Sequence, residues 1–304
     1  MSDFQPIPDE DNIWLRKKRP QQARPASDGT PWGTLICCIL CAGNFILILA
    51  TEGGNAEHVL EYALYPGAIE IWDGAYWGPL TSAFVHFDFL HFFFNLSWLW
   101  LFGRGMEKHF GTVAFLILVA VSAYLTSTCQ LAFSDNAGIG FSGVNYALFG
   151  FLWMARRTTP GLEMVITDGV VKFLLAWLVI APFISKLGIM PIGNAAHNSG
   201  IIIGILAGAA FVLHYKRTPT LAALVLLTIA LLVPLFYMPW SIRWNWNEGF
   251  RTIKAGRYQD AIDYYHRVLE REPGDEGARH NLDIARGALG LGEDEKWPPA
   301  KIDR

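Results

Sequence analysis

What most constrains this chain is where its charges are missing. Of 51 Asp, Glu, Lys and Arg residues, 10 lie in residues 1–33 and 23 in residues 241–304, leaving 18 for the 207 residues between. A water-facing domain needs a charged surface, and a hydrophobic content of 52% exceeds what a soluble core of this length requires. The middle is therefore read as a membrane block with an aqueous segment at each end. Crossing the hydrocarbon takes about 20 apolar residues. Seven stretches qualify as spans, at about 32–50, 87–105, 112–132, 142–156, 170–187, 195–214 and 220–239. The fourth is short, so its first residue is expected inside the protein, beneath a water-filled opening.

Basic residues set the orientation, because Lys and Arg stay on the cytoplasmic side. Arg16, Lys17, Lys18 and Arg19 precede span one, Arg104 and Lys108 follow span two, Arg156 and Arg157 follow span four, and Lys216 and Arg217 follow span six. Residues 51–86 and 133–141 contain neither Lys nor Arg, and Lys186 is the one exception to the pattern. The N-terminus is thus expected inside and, after seven spans, residues 241–304 outside. The first apolar run begins only at about residue 34 with no small-residue cleavage site after it, which argues for a retained span over a signal peptide. A bacterial inner membrane is expected on that ground. The net charge of −3, with no basic stripe, gives no reason to expect nucleic acid. Cys37, Cys38, Cys41 and Cys129 sit in apolar runs and read as packing residues, so no metal site is expected from them.

Outside the spans, two segments have character of their own. The loop at 51–86 is rich in Trp, Tyr and Gly, including Trp72, Tyr76 and Trp77. Such residues suit the headgroup region, either as an aromatic belt or as a loop lying partly in the bilayer. In residues 241–304, Gly249, Gly256, Tyr258, Ala261, Tyr265 and Pro273 fall at spacings similar to a tetratricopeptide repeat. Ala278, Leu282 and Ala285 mark one face of a further helix. Asn245 and Thr252 stand where such a repeat carries large aromatics. About three repeats are normally needed for stability, so this segment is expected to lean on the core, a second copy or a partner protein.

Polar residues inside spans are costly and tend to be functional. Span two holds His86, His91 and Asn95, and the last two lie one turn apart on one face. His86 and His91 are five apart with no Glu after His86, which does not fit the zinc-protease motif. At its inner end the run Gly103 to Gly111 contains Glu107, read as a staple between spans two and three. Ahead of span four, Gly138 and Gly140 lead into Ser142 and Gly143, with Tyr146 one turn below the serine. A helix N-terminus there offers free N–H groups to a developing oxyanion. In span six, His197 precedes Gly200, Gly204 and Gly208, a stripe along which another helix can pack closely. Packing that stripe on the Ser142–Tyr146–Gly150 face would bring an imidazole to the hydroxyl, which a serine nucleophile requires.

The order HxxxxHxxxN, GxxxExxxG, GxSG at a helix start and AHxxGxxxGxxxG resembles the rhomboid family of intramembrane serine proteases, over about residues 32–215. The fold it implies is an all-α membrane protein, a six-helix rhomboid core plus a seventh transmembrane helix and a small soluble helical tail. Carried over by motif, Ser142 is the nucleophile and His197 the base. The side chains of His91 and Asn95, with the Ser142 amide, form the oxyanion hole. Tyr146 stacks on His197, and Gly140 and His86 support the site. The chain departs from many rhomboids in having Trp77-Gly78 where they carry Trp-Arg. The implied segments are a cytoplasmic tail at 1–31, the protease core at 32–215, the seventh helix at 220–240 and the soluble segment at 241–304.

The implied reaction is hydrolysis of a peptide bond in or beside a transmembrane segment. A membrane helix hides its carbonyls in its own hydrogen bonds, so a substrate must unwind easily near the scissile bond. No Asp or Glu in the spans is placed to orient His197, leaving a dyad in place of a triad. The implied partners are transmembrane protein substrates, membrane lipids and a protein partner for residues 241–304; no metal or organic cofactor is implied. The rival from another class is an inactive relative that binds transmembrane segments for quality control, which loss of Ser142 or His197 would signal. A transporter would need mirrored halves with charged groups near the midplane, a symmetry the sequence lacks.

Overall fold

The computed structural model describes residues 29–51, 54, 57–213 and 217–292. Arg16, Lys17, Lys18, Arg19 and Lys216, used above for orientation, lie outside the described residues, as does all but the last few residues of the tail at 1–31. The described residues form α-helices and short 3₁₀ turns with no strand. Helix α1 is Trp32–Thr51; the loop after it holds α2 (Glu57–Leu64), α3 (Ala68–Trp72) and α4 (Gly78–Thr81). The bundle continues with α5 (Phe89–Phe110), α6 (Thr112–Ser134), α7 (Ser142–Ala155), α8 (Asp168–Lys186) and α9 (Asn194–Val212). Then come α10 (Arg217–Leu232) and three helices of the C-terminal segment, α11 (Ile242–Lys254), α12 (Tyr258–Arg271) and α13 (Glu276–Ala288).

Five of these are long and apolar enough to cross a membrane: α1, α6, α8, α9, and α10 with the 3₁₀ turn that extends it to Leu235. Two of the seven expected spans fall outside that group for physical reasons. α7 has 14 residues, which rise about 21 Å against a hydrocarbon core of about 30 Å. α5 is long, but His91, Asn95 and Arg104 dilute its apolar character. Both are nevertheless central to the bundle. Leu99 and Phe102 of α5, Phe115 of α6, Leu148 and Leu152 of α7 and Leu174 of α8 share one buried core. α7 is surrounded by protein and buries eleven of its residues, whereas α10 buries none and lies at the periphery.

Glu107 ties the C-terminal end of α5 to two neighbours. It accepts from the backbone N–H groups of Gly33 and Thr34 (3.0 and 2.6 Å), and from the Thr34 and Thr112 hydroxyls (2.6 Å each). Four donors satisfy a carboxylate that burial would otherwise make costly. The expected staple between spans two and three therefore includes span one as well, through Gly33 and Thr34.

In the loop after α1, Trp72 departs from the aromatic-belt reading. It is 5% exposed and its Nε1 donates to the Pro234 carbonyl at 3.0 Å, while Tyr76 and Trp77 are about 40% exposed. Gly78 lies so close to the Pro66 ring and Ile71 that a Cβ there would collide with them. That contact accounts for glycine at this position, where a side chain would force the loop open.

The C-terminal helices have a small core of their own, with Ala261, Ile262, Tyr265, Val268, Ala278, Leu282 and Ala285 buried. A Cβ on Gly249 would come within 2.8 Å of the Tyr265 ring, so α11 and α12 meet at close range. This unit rests on the bundle. Ala68, Ile71 and Trp72 of the loop, Leu131 of α6, Ala137, Leu235, Met238 and Trp244 form one buried cluster. Around it, Asn247 Nδ2 donates to Asp73 Oδ1 (3.3 Å), Arg251 lies 3.9 Å from the same carboxylate, and Trp240 Nε1 donates to the Ala132 carbonyl (2.8 Å). Of the three supports expected for the segment, contact with the core is seen here. Asn245, unusual for a repeat helix, bonds the Pro239 carbonyl at 2.8 Å and so ties α11 to the chain leaving α10.

Candidate active site

α7 and α9 cross with their backbones nearly touching. A Cβ on Gly150 would lie 2.7 Å from the Ile201 carbonyl oxygen, and one on Gly208 2.8 Å from that of Phe151. Gly200 and Gly204 meet the carbonyls of Gly143 and Ala147 in the same way. Only glycine permits this approach, and it fixes the two helices at a main-chain separation. Ser142 opens α7, and His197 lies one turn into α9. The crossing brings His197 Nε2 to 2.8 Å from Ser142 Oγ. An imidazole nitrogen at that distance can take the hydroxyl proton.

The histidine ring is held by packing. Its centroid lies 4.8 Å from that of Tyr146, with the planes 35° apart, and the Tyr146 hydroxyl donates to the Leu174 carbonyl of α8 at 3.1 Å. His197 Nδ1 is buried with no protein partner among the described residues. Among the described residues, then, no carboxylate orients the ring from behind. Three helices thus set its position: α9 carries it, α7 stacks against it, and α8 anchors the stacking residue.

The remaining expected residues gather on the other side of the serine. Asp88 caps α5 by accepting from the His91 N–H (2.7 Å), and one turn on, Asn95 Nδ2 donates to the His91 carbonyl (2.9 Å). The backbone of Gly140 runs directly against the His91 ring: a Cβ there would sit 2.5 Å from Cε1 and 3.6 Å from Asn95 Nδ2. Gly140 also has φ +98°, a region that favours glycine. Two N–H groups of this turn are tied down. The Gly140 N–H donates to the Ser82 carbonyl (3.1 Å) and the Phe141 N–H to His86 Nε2 (3.4 Å). Ser142 is the first residue of α7, so its N–H is one of those that have no partner within the helix.

Ser142, His197, Tyr146, His91, Asn95, Gly140 and His86 are therefore brought together around one point. Two polar residues went unread in the sequence. Gln130 of α6 accepts from the Ala196 N–H at 3.1 Å and donates to Ser134 Oγ at 3.0 Å, capping the start of α9 beside His197. Asn145 of α7 bonds Asn95. Both are amides inside apolar helices, the same signal that singled out His91 and Asn95.

Comparison with known proteins agrees with this architecture. A Rhomboid domain matches across residues 73–214, from the end of α3 to just past α9. Over 177 residues the chain is 39% identical to the rhomboid protease GlpG of Yersinia pestis (strain Pestoides F) and to that of Yersinia pseudotuberculosis, and 37% identical to that of Yersinia enterocolitica. The matched stretch is 57% of this chain and 60% of each relative, so the chain spans about three-fifths of the length of the curated relatives it matches. This is an integral membrane protein, all-α in its described residues, that carries a Rhomboid domain at residues 73–214 and is similar there to the rhomboid proteases.

Proposed function

We propose that this protein is an intramembrane serine endopeptidase acting by a Ser142–His197 dyad on transmembrane protein substrates. The observation that carries the reading is the 2.8 Å contact between His197 Nε2 and Ser142 Oγ, at the head of a helix enclosed by a membrane bundle. In the first step His197 takes the Ser142 proton while Oγ attacks the scissile carbonyl. The resulting oxyanion is stabilised by the His91 ring, the Asn95 side-chain amide and the Ser142 N–H. The imidazolium then protonates the leaving amine, and the C–N bond breaks to give an acyl-enzyme. Water, deprotonated by the same imidazole, attacks that ester and releases Ser142. Tyr146 does by stacking what an Asp does in a triad. Gly140 and His86 hold the turn that supplies the oxyanion site.

The same reading orders the whole chain. Residues 1–31 form a cytoplasmic tail, 32–215 the protease core, 220–240 a peripheral seventh span and 241–304 a tetratricopeptide-like segment outside the cell membrane, in a bacterial inner membrane. The side of α8 and α10 away from the bundle is in contact with membrane lipids. The docking of α11 against α3 and Ala137 supports a C-terminal segment on the face where Ser142 opens. There it meets substrates or a protein partner without taking part in bond breaking.

The test is covalent labelling by a fluorophosphonate in detergent together with cleavage of a transmembrane peptide. Wild type should label and cleave; Ser142→Ala should do neither; His197→Ala should lose activity about as completely, since the two groups act as a unit. Proteolysis retained in either purified, folded variant would end the assignment.

A further inference from the structure

Asn145 is the buried polar side chain of α7 that the chemistry above leaves unused. It lies three residues past Ser142, on the side of α7 that meets α5. Its Nδ2 donates to the Asn95 backbone carbonyl at 3.0 Å and to Asn95 Oδ1 at 3.2 Å. The first contact settles which end of the Asn145 amide is which, because a backbone carbonyl only accepts. That NH₂ group also faces the Asn95 side chain, so the end of Asn95 turned toward it must be the oxygen. Asn95 Nδ2 is thereby turned the opposite way, to the His91 carbonyl and the backbone of Gly140.

The orientation matters because an asparagine amide has nearly the same shape after half a turn. With Nδ2 on this side, one N–H goes to the His91 carbonyl and the other is left for a developing oxyanion; the reverse orientation presents the amide oxygen, which repels it. Packing cannot tell the two apart, whereas fixed hydrogen-bond partners can: the His91 carbonyl at one end of the amide and the Asn145 NH₂ group at the other. The arrangement has a cost, since Asn145 Oδ1 is buried with no protein donor among the described residues. A leucine of similar shape would leave no such unmet acceptor.

We infer that Asn145 is a positioning residue that holds the Asn95 amide with its remaining N–H aimed at the oxyanion site. The inference rests on the oxyanion role proposed for Asn95. It is tested by a double-mutant cycle of purified Asn145→Leu, Asn95→Ala and the double variant, with kcat and KM measured on a transmembrane peptide in detergent. Asn145→Leu should lower kcat roughly tenfold with KM unchanged, a fraction of the about 100- to 1,000-fold lost with an oxyanion donor itself. Its thermal unfolding midpoint should stay near that of wild type. In the Asn95→Ala background the same substitution should leave kcat where it is, because no amide remains to be oriented. Equal losses in both backgrounds, or a change confined to KM, would overturn the inference. If Asn95→Ala alone keeps wild-type kcat, the oxyanion reading of Asn95 fails and takes the inference with it, an outcome the single variant reveals by itself. Asn145→Ala replaces leucine in the same cycle should the leucine variant not fold.

Discussion

Gly140 has a positive φ and no room for a Cβ beside the His91 ring, two independent demands that no other residue meets. Gly140→Ala should therefore displace His91 and the turn before Ser142 together. Peptide turnover is expected to fall by about 100-fold, the scale of losing one oxyanion donor, and assays of purified protein would measure it. Tyr146→Phe is the contrasting case. It keeps the ring against His197 and loses the bond to the Leu174 carbonyl, so stability should drop by about 1–2 kcal/mol. Denaturation in mixed micelles would read that loss, with turnover reduced far less than by Tyr146→Ala. At this scale the sequence is most legible where chemistry interrupts an apolar run. Ser142, His197, His91 and Asn95 are visible for that reason. Asn145 and Gln130 interrupt runs equally well, but their purpose lies in which atom of another residue they face, and spacing along one helix does not carry that information.

The α7–α9 pair shows what an element can and cannot reveal in advance. Glycine at every fourth position announces a close helix contact, and Gly200, Gly204 and Gly208 make it, backbone against backbone. Gly204→Val would drive a side chain into the Ala147 carbonyl. Overpacking of this kind costs about 1–3 kcal/mol, and by moving α9 off α7 it should also abolish cleavage. Gly43 of α1 has open space around the site of a Cβ, so Gly43→Val is the control expected to retain both stability and activity. Thermal unfolding and turnover of the two variants side by side would check this. Spans α5 and α7 were harder to place by apolar length alone. Polar residues such as His91, Asn95 and Arg104 lower the hydropathy of one, and enclosure by other helices lets the other be short. Polarity and burial both erode the signal by which membrane helices are found.

Over the whole molecule, the C-terminal helices and the loop before α5 are one packed unit. Trp244 of α11 lies in the buried cluster that joins them, with Ile71, Trp72, Leu131 and Met238. Trp244→Ala should cost about 3–5 kcal/mol, seen as proteolytic nicking within residues 57–86 before the bundle itself unfolds. Truncation after residue 240 should leave the Ser142–His197 contact in place and cleavage of a generic transmembrane peptide close to wild type. In membranes it should change which proteins are cut. A reporter fused after Arg304 should be inaccessible from the cytoplasm; a cytoplasmic reporter would refute the seven-span topology. The helical nature of the tail was legible in its periodicity, whereas its seat was not, because the cluster draws its eight residues from five separate parts of the chain. That seat also sets an order in time. The indole of Trp72 bonds a carbonyl 162 residues further on, at Pro234. A ribosome takes on the order of ten seconds to cover that distance, and His197 emerges well before Pro234 does. The serine and histidine can therefore meet while the loop beside them still lacks its bond to Pro234.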